Sequence, residues 1–503
     1  MNQRRIGTIL SYAHILLTNT ISLFYTPYML RMMGKSEYGL YGTANSLIAY
    51  LSILSFGIGG AYIRFNAIAR AKQDKQEEYR INGMFIAVFS FLAFLVLVCG
   101  SIMIFFAGTL VKNTFSANEL LKLRIIMLLL IINMAVTFVC NVFMMALQAY
   151  ERFIFVRAIL LIAGILQPIL NIISLNMGGR AISITALSLV ISIVTYLLFF
   201  VYAWNVVKFR VSFRGFDKAV FKELFVFSGF LFLNSITEQI TFSTDNVVLS
   251  AVHGTEAVAV YTVGSSFKNY FMNFSSSVSS VFAPQVNKII AENGSRDELN
   301  SIFIKLGRIQ FYIVSIILIG YCSIGHDFVR LWAGKDYSNA YYIGLLLMMS
   351  IFVPSFQNVG IEIQKAMNMH KARSIVYFFI ALINVIITIP LSIYLAGVGA
   401  ALATTICMFF GTVVFMNCYY HKKIGLDMYM FWKSIASILP GYVIPIVVAI
   451  SINKFAMIRS FIDILIYAMI ISLVYIVSVF MISMNSYEKD LFIRPLKKLL
   501  RRN

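Results

Sequence analysis

Residues 81–106 read INGMFIAVFSFLAFLVLVCGSIMIFF, a run without a single charged side chain. As a helix rising about 1.5 Å per residue it is about 39 Å long, more than the ~30 Å hydrocarbon core of a bilayer. A backbone in hydrocarbon must satisfy its own N–H and C=O groups, and a helix does this within one segment. Lys75 and Arg80 stand before the run and Lys112 behind it, so the charge lies at the ends. Working outward, the same pattern of apolar run and charge cluster repeats along all 503 residues, which are 60% hydrophobic and 12% charged. Soluble domains are about a quarter charged. The sequence therefore predicts an all-α integral membrane protein and excludes a large soluble catalytic domain.

Fourteen candidate transmembrane helices are predicted, near 6–30, 40–63, 81–106, 120–148, 153–177, 181–206, 224–249, 257–284, 304–324, 338–363, 374–395, 398–419, 431–452 and 461–484. The first carries His14, Asn19 and Pro27, and is expected to be a retained helix, not a signal peptide. With the N-terminus placed inside, inner segments hold thirty Lys and Arg and outer segments ten. By the positive-inside rule both termini are expected to be cytoplasmic, in the cell inner (plasma) membrane. The net charge of +20 is then mostly topology and attraction to anionic lipid, with no need for nucleic acid. Cys99, Cys140, Cys322, Cys407 and Cys418 lie in apolar runs without metal-ligand spacing and read as core residues. The basic tail from Arg494 to Arg502 is expected to lie on the inner leaflet.

Two stretches are alike 220 residues apart: Gly34 aligns with Gly254, and Tyr41 with Tyr261. Gln148–Arg152 and the following Gly179-Arg180-Ala181 resemble Ala366–His370 and Gly397-Val398-Gly399 in the same way. An even number of spans per repeat gives two six-helix bundles that point the same way, related by a pseudo-twofold along the membrane normal. The expected organisation is an N-terminal bundle over 1–206, a cytoplasmic linker over 207–223, a C-terminal bundle over 224–423, two extra helices over 424–484 and a basic cytoplasmic tail over 485–503.

Thr26-Pro27-Tyr28-Met29-Leu30, the Gly34-x-x-Glu37-Tyr38-Gly39-x-Tyr41 turn, Gly57-x-Gly59 and Arg64 resemble the opening of polysaccharide-transporter proteins. These are the Wzx-type lipid-linked oligosaccharide (O-antigen, capsule) flippases of the multidrug/oligosaccharidyl-lipid/polysaccharide (MOP) exporter superfamily. Asp245, Gly254 and Tyr261, with the run from Gly397 to Thr404, are similar to the same family, so the likeness spans roughly 1–484. The resemblance implies bundles around a central cavity and a polyprenyl-pyrophosphate-linked glycan as cargo. His253 departs from the family's small or apolar residue and is assigned no role.

The seventh run presents Asn234, Glu238, Thr241 and Asp245 at spacings of 4, 3 and 4, one face of a helix. Such a stripe lines a watery cavity, with the carboxylates as proton or cation sites, or is capped by Ser, Thr and Asn of neighbouring helices. The eighth run presents Tyr261, Ser265, Lys268, Met272, Ser275 and Ser279 in the same rhythm. Lys268 suits an anionic cargo group, and its structural alternative is a salt bridge to Glu238 or Asp245. The second run carries Ser52, Ser55, Gly59, Tyr62 and Asn66, followed by Arg64 at its inner end, where a bidentate contact to pyrophosphate competes with a plain positive-inside role. Glu362 has Asn358 and Lys365 a turn away and is expected to be satisfied locally, and His14 to be a packing residue. Gly34-Lys35-Ser36 lacks the earlier glycine of a phosphate-binding loop.

Substrate binding is therefore expected at Lys268, Arg64, Tyr261 and Ser265, and ion coupling or cavity lining at Glu238, Asp245, Asn234 and Thr241, with no catalytic residue, metal or cofactor. The expected activity is inner-to-outer leaflet transfer of a lipid-linked anionic oligosaccharide by alternating access. Membrane lipid and glycan-assembly enzymes are the other candidate partners. Alternatives are an ion-coupled multidrug antiporter for organic cations, a membrane glycan polymerase or ligase, and a scaffold.

Overall fold

The computed structural model describes residues 3–55, 58–111, 113–213, 218–292, 295–367, 369, 371–490 and 493. The described residues are helices and connections without strands. The helices are α1 Gln3–Met33, α2 Lys35–Ala49, α3 Gly59–Ala71, α4 Lys75–Leu110, α5 Ala117–Ala149, α6 Phe153–Asn176, α7 Ala181–Asn205, α8 Lys218–His253 and α9 Thr255–Ala291. They continue with α10 Arg296–Trp332, α11 Asn339–Phe356, α12 Asn358–Ala366, α13 Lys371–Met408, α14 Met416–Tyr419, α15 Met428–Ala436, α16 Val443–Phe455 and α17 Phe461–Ser478. Among the described residues, ten helical segments are long and apolar enough to cross a membrane. One of these, Lys371–Ile424, has the length for two crossings and is broken by Ala396 at φ 48°, ψ −132°. The polar-flecked α1, α8 and α9, at 31, 36 and 37 residues, are also long enough to span. Each of the fourteen predicted runs is thus helical, and the chain is an all-α membrane protein.

Three predicted helices are interrupted. The 40–63 run contains a 3₁₀ turn, Tyr50–Ser55, so the expected stripe from Ser52 to Asn66 does not share one helical face. Ser52 instead returns its hydroxyl to the Ala49 carbonyl at 2.6 Å. Pro354 precedes the break between α11 and α12, and Pro440 lies in the 3₁₀ turn between α15 and α16. Proline supplies no backbone N–H, which weakens the helical ladder there. Gly57 and the tail 494–503 lie outside the described residues.

The chain forms two compact units, Met1–Val260 with Ser392–Ala396, and Tyr261–Leu391 with Gly397–Asn503. In the first unit α5 packs against α4 and α7, α1 against α6, and α2 against α5 and α8. Phe85, Leu123, Ile126 and Met127 are fully buried there, while Phe91, Phe94, Phe105 and Phe106 of α4 are exposed, as suits a lipid-facing surface. In the second unit α10 packs against α11, α16 and α17. Its core includes Phe431 stacked on Phe303 at 4.6 Å and parallel to Phe356 at 6.2 Å.

Candidate functional site

Gly34 and Gly254 begin α2 and α9 in the same way. Their φ angles are 81° and 79°, and each donates its N–H to a carbonyl at the end of the preceding helix, Leu30 at 3.0 Å and Leu249 at 3.1 Å. Positive φ favours glycine, and the reversal lets a new helix start at once. The two starts meet: a Cβ on Gly39 would lie 1.9 Å from the Thr255 carbonyl oxygen. Around this contact the first unit builds a polar lattice. Lys35 Nζ lies 3.2 Å from Glu256 Oε2, and Lys122 pairs with Glu37. The Ser36 hydroxyl donates to Glu119 Oε1 at 2.6 Å, and the Thr255 hydroxyl reaches the same oxygen at 3.4 Å. Ser116 and Glu119 form a reciprocal cap on α5, which fixes that carboxylate at the helix N-terminus.

On α8, Asp245 is 1% exposed and Thr241 7%, whereas Glu238 is exposed. The Thr241 hydroxyl turns back to the Thr237 carbonyl at 2.8 Å. Asp245 is flanked by two residues tied to α2 and the turn after it: Thr244 pairs with the Tyr50 hydroxyl at 2.5 Å, and Asn246 donates to Ser46 of α2 at 2.8 Å. The side chain of Asn234 lies outside the described residues. Arg64 is exposed on α3, its guanidinium 5.9 Å from the Phe65 ring centroid. Tyr62 and Asn66 turn inward, where both bond Asn82 Oδ1, at 2.7 and 3.1 Å.

In the second unit, α9 carries Tyr261 and Lys268, only 2% and 5% exposed. Gly264 brings this helix against α11, since a Cβ there would lie 2.6 Å from Ile343. Ser265 donates to the Thr262 carbonyl at 3.0 Å. Phe267, beside Lys268, packs on Tyr321 and Trp332, both with centroids at 5.4 Å. Lys268 itself is buried within this unit. Glu362 pairs with Lys365 at 2.9 Å as the spacing indicated, while Asn358 instead donates to Ser275 at 2.8 Å. His253 lies 2.6 Å from the Ser392 carbonyl, and Thr18 donates to the His14 carbonyl at 2.7 Å.

Sequence reasoning missed one charged site altogether. Arg308, read there as an inner-loop cation, is buried and holds Glu488 with two bonds of 2.5 and 2.9 Å. The Tyr312 hydroxyl joins the carboxylate at 3.1 Å, and Arg308 also donates to the Ser434 carbonyl at 3.0 Å. Burial alone would push the Glu488 carboxyl up, but the Arg308 bonds, the Asn485 N–H and Tyr312 together hold it below the ordinary value. The polar lattice was missed too, although Ser116-x-x-Glu119 is a readable capping signal.

An all-α, multi-pass chain with acids and a lysine buried in its long helices has the architecture of a membrane transporter. The fold agrees: the lipid II flippase MurJ in an inward closed conformation superposes with a TM-score of 0.70 over 98% of this chain and 99% of that one, at 17% identity. An inward-facing multidrug resistance MATE transporter of the MOP superfamily gives 0.61 over 82% and 99%, at 14% identity. The family described as polysaccharide biosynthesis protein matches residues 6–290, more than half of the sequence, and the chain belongs to that family. It is also 22% identical over 500 residues to the uncharacterized membrane protein EpsK of Bacillus subtilis (strain 168), covering 96% of both.

Proposed function

We propose that this transporter-fold member of the polysaccharide biosynthesis family is a flippase. Its cargo is a polyprenyl-pyrophosphate-linked oligosaccharide, moved from the inner to the outer leaflet of the cell membrane by alternating access. A pyrophosphate and sugars cannot enter hydrocarbon without losing their hydration, which costs many kcal/mol. The observation that carries the reading is Lys268, a cation 5% exposed on a helix that also presents Tyr261 and Ser265. In such a setting one charge attracts an anionic headgroup far more strongly than in water. Arg64, exposed midway along α3 and at the inner end of the 40–63 run in the proposed topology, is the first contact for the pyrophosphate.

With both termini cytoplasmic, the lattice of Lys35, Ser36, Glu119, Thr255 and Glu256 lies at the outer surface and closes that end while cargo enters from inside. Glu238 and Asp245 are the ion-coupling pair. Asp245 also favours a second reading, ion-coupled export of an organic cation, which a buried carboxylate fits and Lys268 opposes. In cells, deletion of the chain is expected to leave lipid-linked glycan on the inner leaflet, inaccessible to a membrane-impermeant glycosidase. Accumulation on the outer leaflet would point instead to a polymerase or ligase step.

A further inference from the structure

A half-open cavity of about 490 Å³ lies in the first unit, among α1, α2, α6 and α7. It is separate from Lys268 and from the carboxylates of α8, none of which line it. Its volume falls within the ~300–1,000 Å³ range of small-molecule sites. The described lining includes no Asp, Glu, Lys, Arg or His, yet it is rich in hydroxyls and amides, with Gln167, Asn171 and Ser188 on the wall beside the rings of Tyr25, Tyr41 and Tyr196. Asn171 is 3% exposed, and its Oδ1 has no hydrogen-bond partner among the described residues, while the Tyr25 hydroxyl lies within reach of the same side chain. Pro168 adds to this, because it has no N–H to give the Gly164 carbonyl one turn earlier, and both residues line the space.

These features restrict the occupant. An anion would meet no cationic side chain on this wall, and the cost of its lost hydration would not be offset. A prenyl chain would leave the Asn171 Oδ1 unsatisfied, with a penalty of about 1–3 kcal/mol. A neutral, hydroxyl-rich ring supplies both donors and acceptors, and its C–H faces suit tyrosine rings. We infer that this cavity is a binding site for an uncharged saccharide unit. The inference rests on the flippase reading only for the origin of that sugar, as part of the lipid-linked cargo; a free sugar has the same chemistry.

The test uses full-length protein in lipid nanodiscs, with native cysteines replaced and Ser192→Cys, a cavity-lining position, as reporter. Glucose, galactose and N-acetylglucosamine are offered at millimolar concentration against glucuronate and glucose 6-phosphate. At least one neutral sugar should slow maleimide labelling of the cysteine, while the charged sugars leave it unchanged. Asn171→Leu should weaken that protection about tenfold, as loss of one buried hydrogen bond requires. A second variant, Ser188→Ala, covers the case in which Asn171→Leu does not fold, and should weaken protection severalfold. Absence of protection by every neutral sugar, or equal protection by charged ones, would overturn the inference. A parallel arm with the lipid-linked glycan separates the two readings. Transport without protection by neutral sugars would remove the cavity assignment alone, and protection without transport would remove the flippase reading alone.

Discussion

The contact between Gly39 and Thr255 offers a quantitative perturbation. A Cβ at residue 39 would lie 1.9 Å from a backbone oxygen that cannot rotate away. Restoring an ordinary contact of about 3.4 Å needs α2 and the start of α9 to part by about 1.5 Å. That displacement would break the Thr255–Glu119 bond, already 3.4 Å long, and stretch the 3.2 Å Lys35–Glu256 pair beyond direct contact. Overpacking of this kind costs about 1–3 kcal/mol. If the lattice closes the outer end, Gly39→Ala penalises only the closed state and shifts the equilibrium toward the open one about 5- to 150-fold. The assay is the rate at which an impermeant maleimide labels an introduced Ser36→Cys, a half-buried lattice position. Gly60→Ala is the control, since a Cβ there meets nothing within 4 Å. Labelling at least fivefold faster in Gly39→Ala, with Gly60→Ala unchanged, is expected. Equal labelling in all three backgrounds, with a normally folded protein, would refute the idea that this contact holds a gate.

Lys268→Ala should abolish glycan export at normal expression, and Lys268→Arg should retain part of it, because charge is kept while shape changes; radiolabelled surface glycan measures both. Asp245→Asn should still bind cargo but lose stimulation of transport by an ion gradient, as seen in vesicles with and without that gradient. Cysteines near Lys335 and Lys454 should react with impermeant thiol reagent on intact cells, and those near Lys75 and Arg296 should not. Glu488→Gln should destabilise the second unit by about 3–5 kcal/mol, since it strands buried Arg308, whereas Arg308→Met with Glu488→Leu should be near neutral in thermal unfolding. Because the Glu488 pKa is lowered on folding, its contribution is complete above the unfolded value of about 4.3 and is lost as pH falls through the lower folded value.

What the sequence made legible was local. Apolar runs gave the helices, and the Gly397-Val398-Gly399 cluster placed a boundary where Ala396 breaks α13. Gly34 and Gly254, aligned by spacing alone, share one backbone geometry because a tight reversal at the start of a helix favours glycine in either half. Illegible features were those made by distant residues. Arg308 and Glu488 are 180 residues apart, and nothing beside either marks it as buried. The uncharged cavity draws on four helices, and although Thr18, Ser22 and Tyr25 of α1 and Ser188, Ser192 and Thr195 of α7 recur at helical spacing, they carry no charge to single them out from ordinary helix-pairing residues. The stripe expected from Ser52 to Asn66 was a wrong extrapolation of helical period through a 3₁₀ turn, where successive residues advance by about 120° instead of 100°. The lattice was hidden for another reason: Lys35, Glu37, Glu119 and Glu256 look like ordinary loop charges until the helix starts are brought together.

Reconstitution decides whether this chain moves a lipid-linked anionic glycan across a bilayer. Purified protein in liposomes is given a fluorescent polyprenyl-pyrophosphate-linked glycan in the leaflet corresponding to the cytoplasmic side. Its appearance in the other leaflet is followed by quenching with an impermeant reductant. Transfer well above that of protein-free vesicles is expected, with loss of the transfer in Lys268→Ala and competition by unlabelled glycan lipid but not by organic cations. Transfer no faster than in protein-free vesicles, or transfer that Lys268→Ala leaves intact, would contradict it.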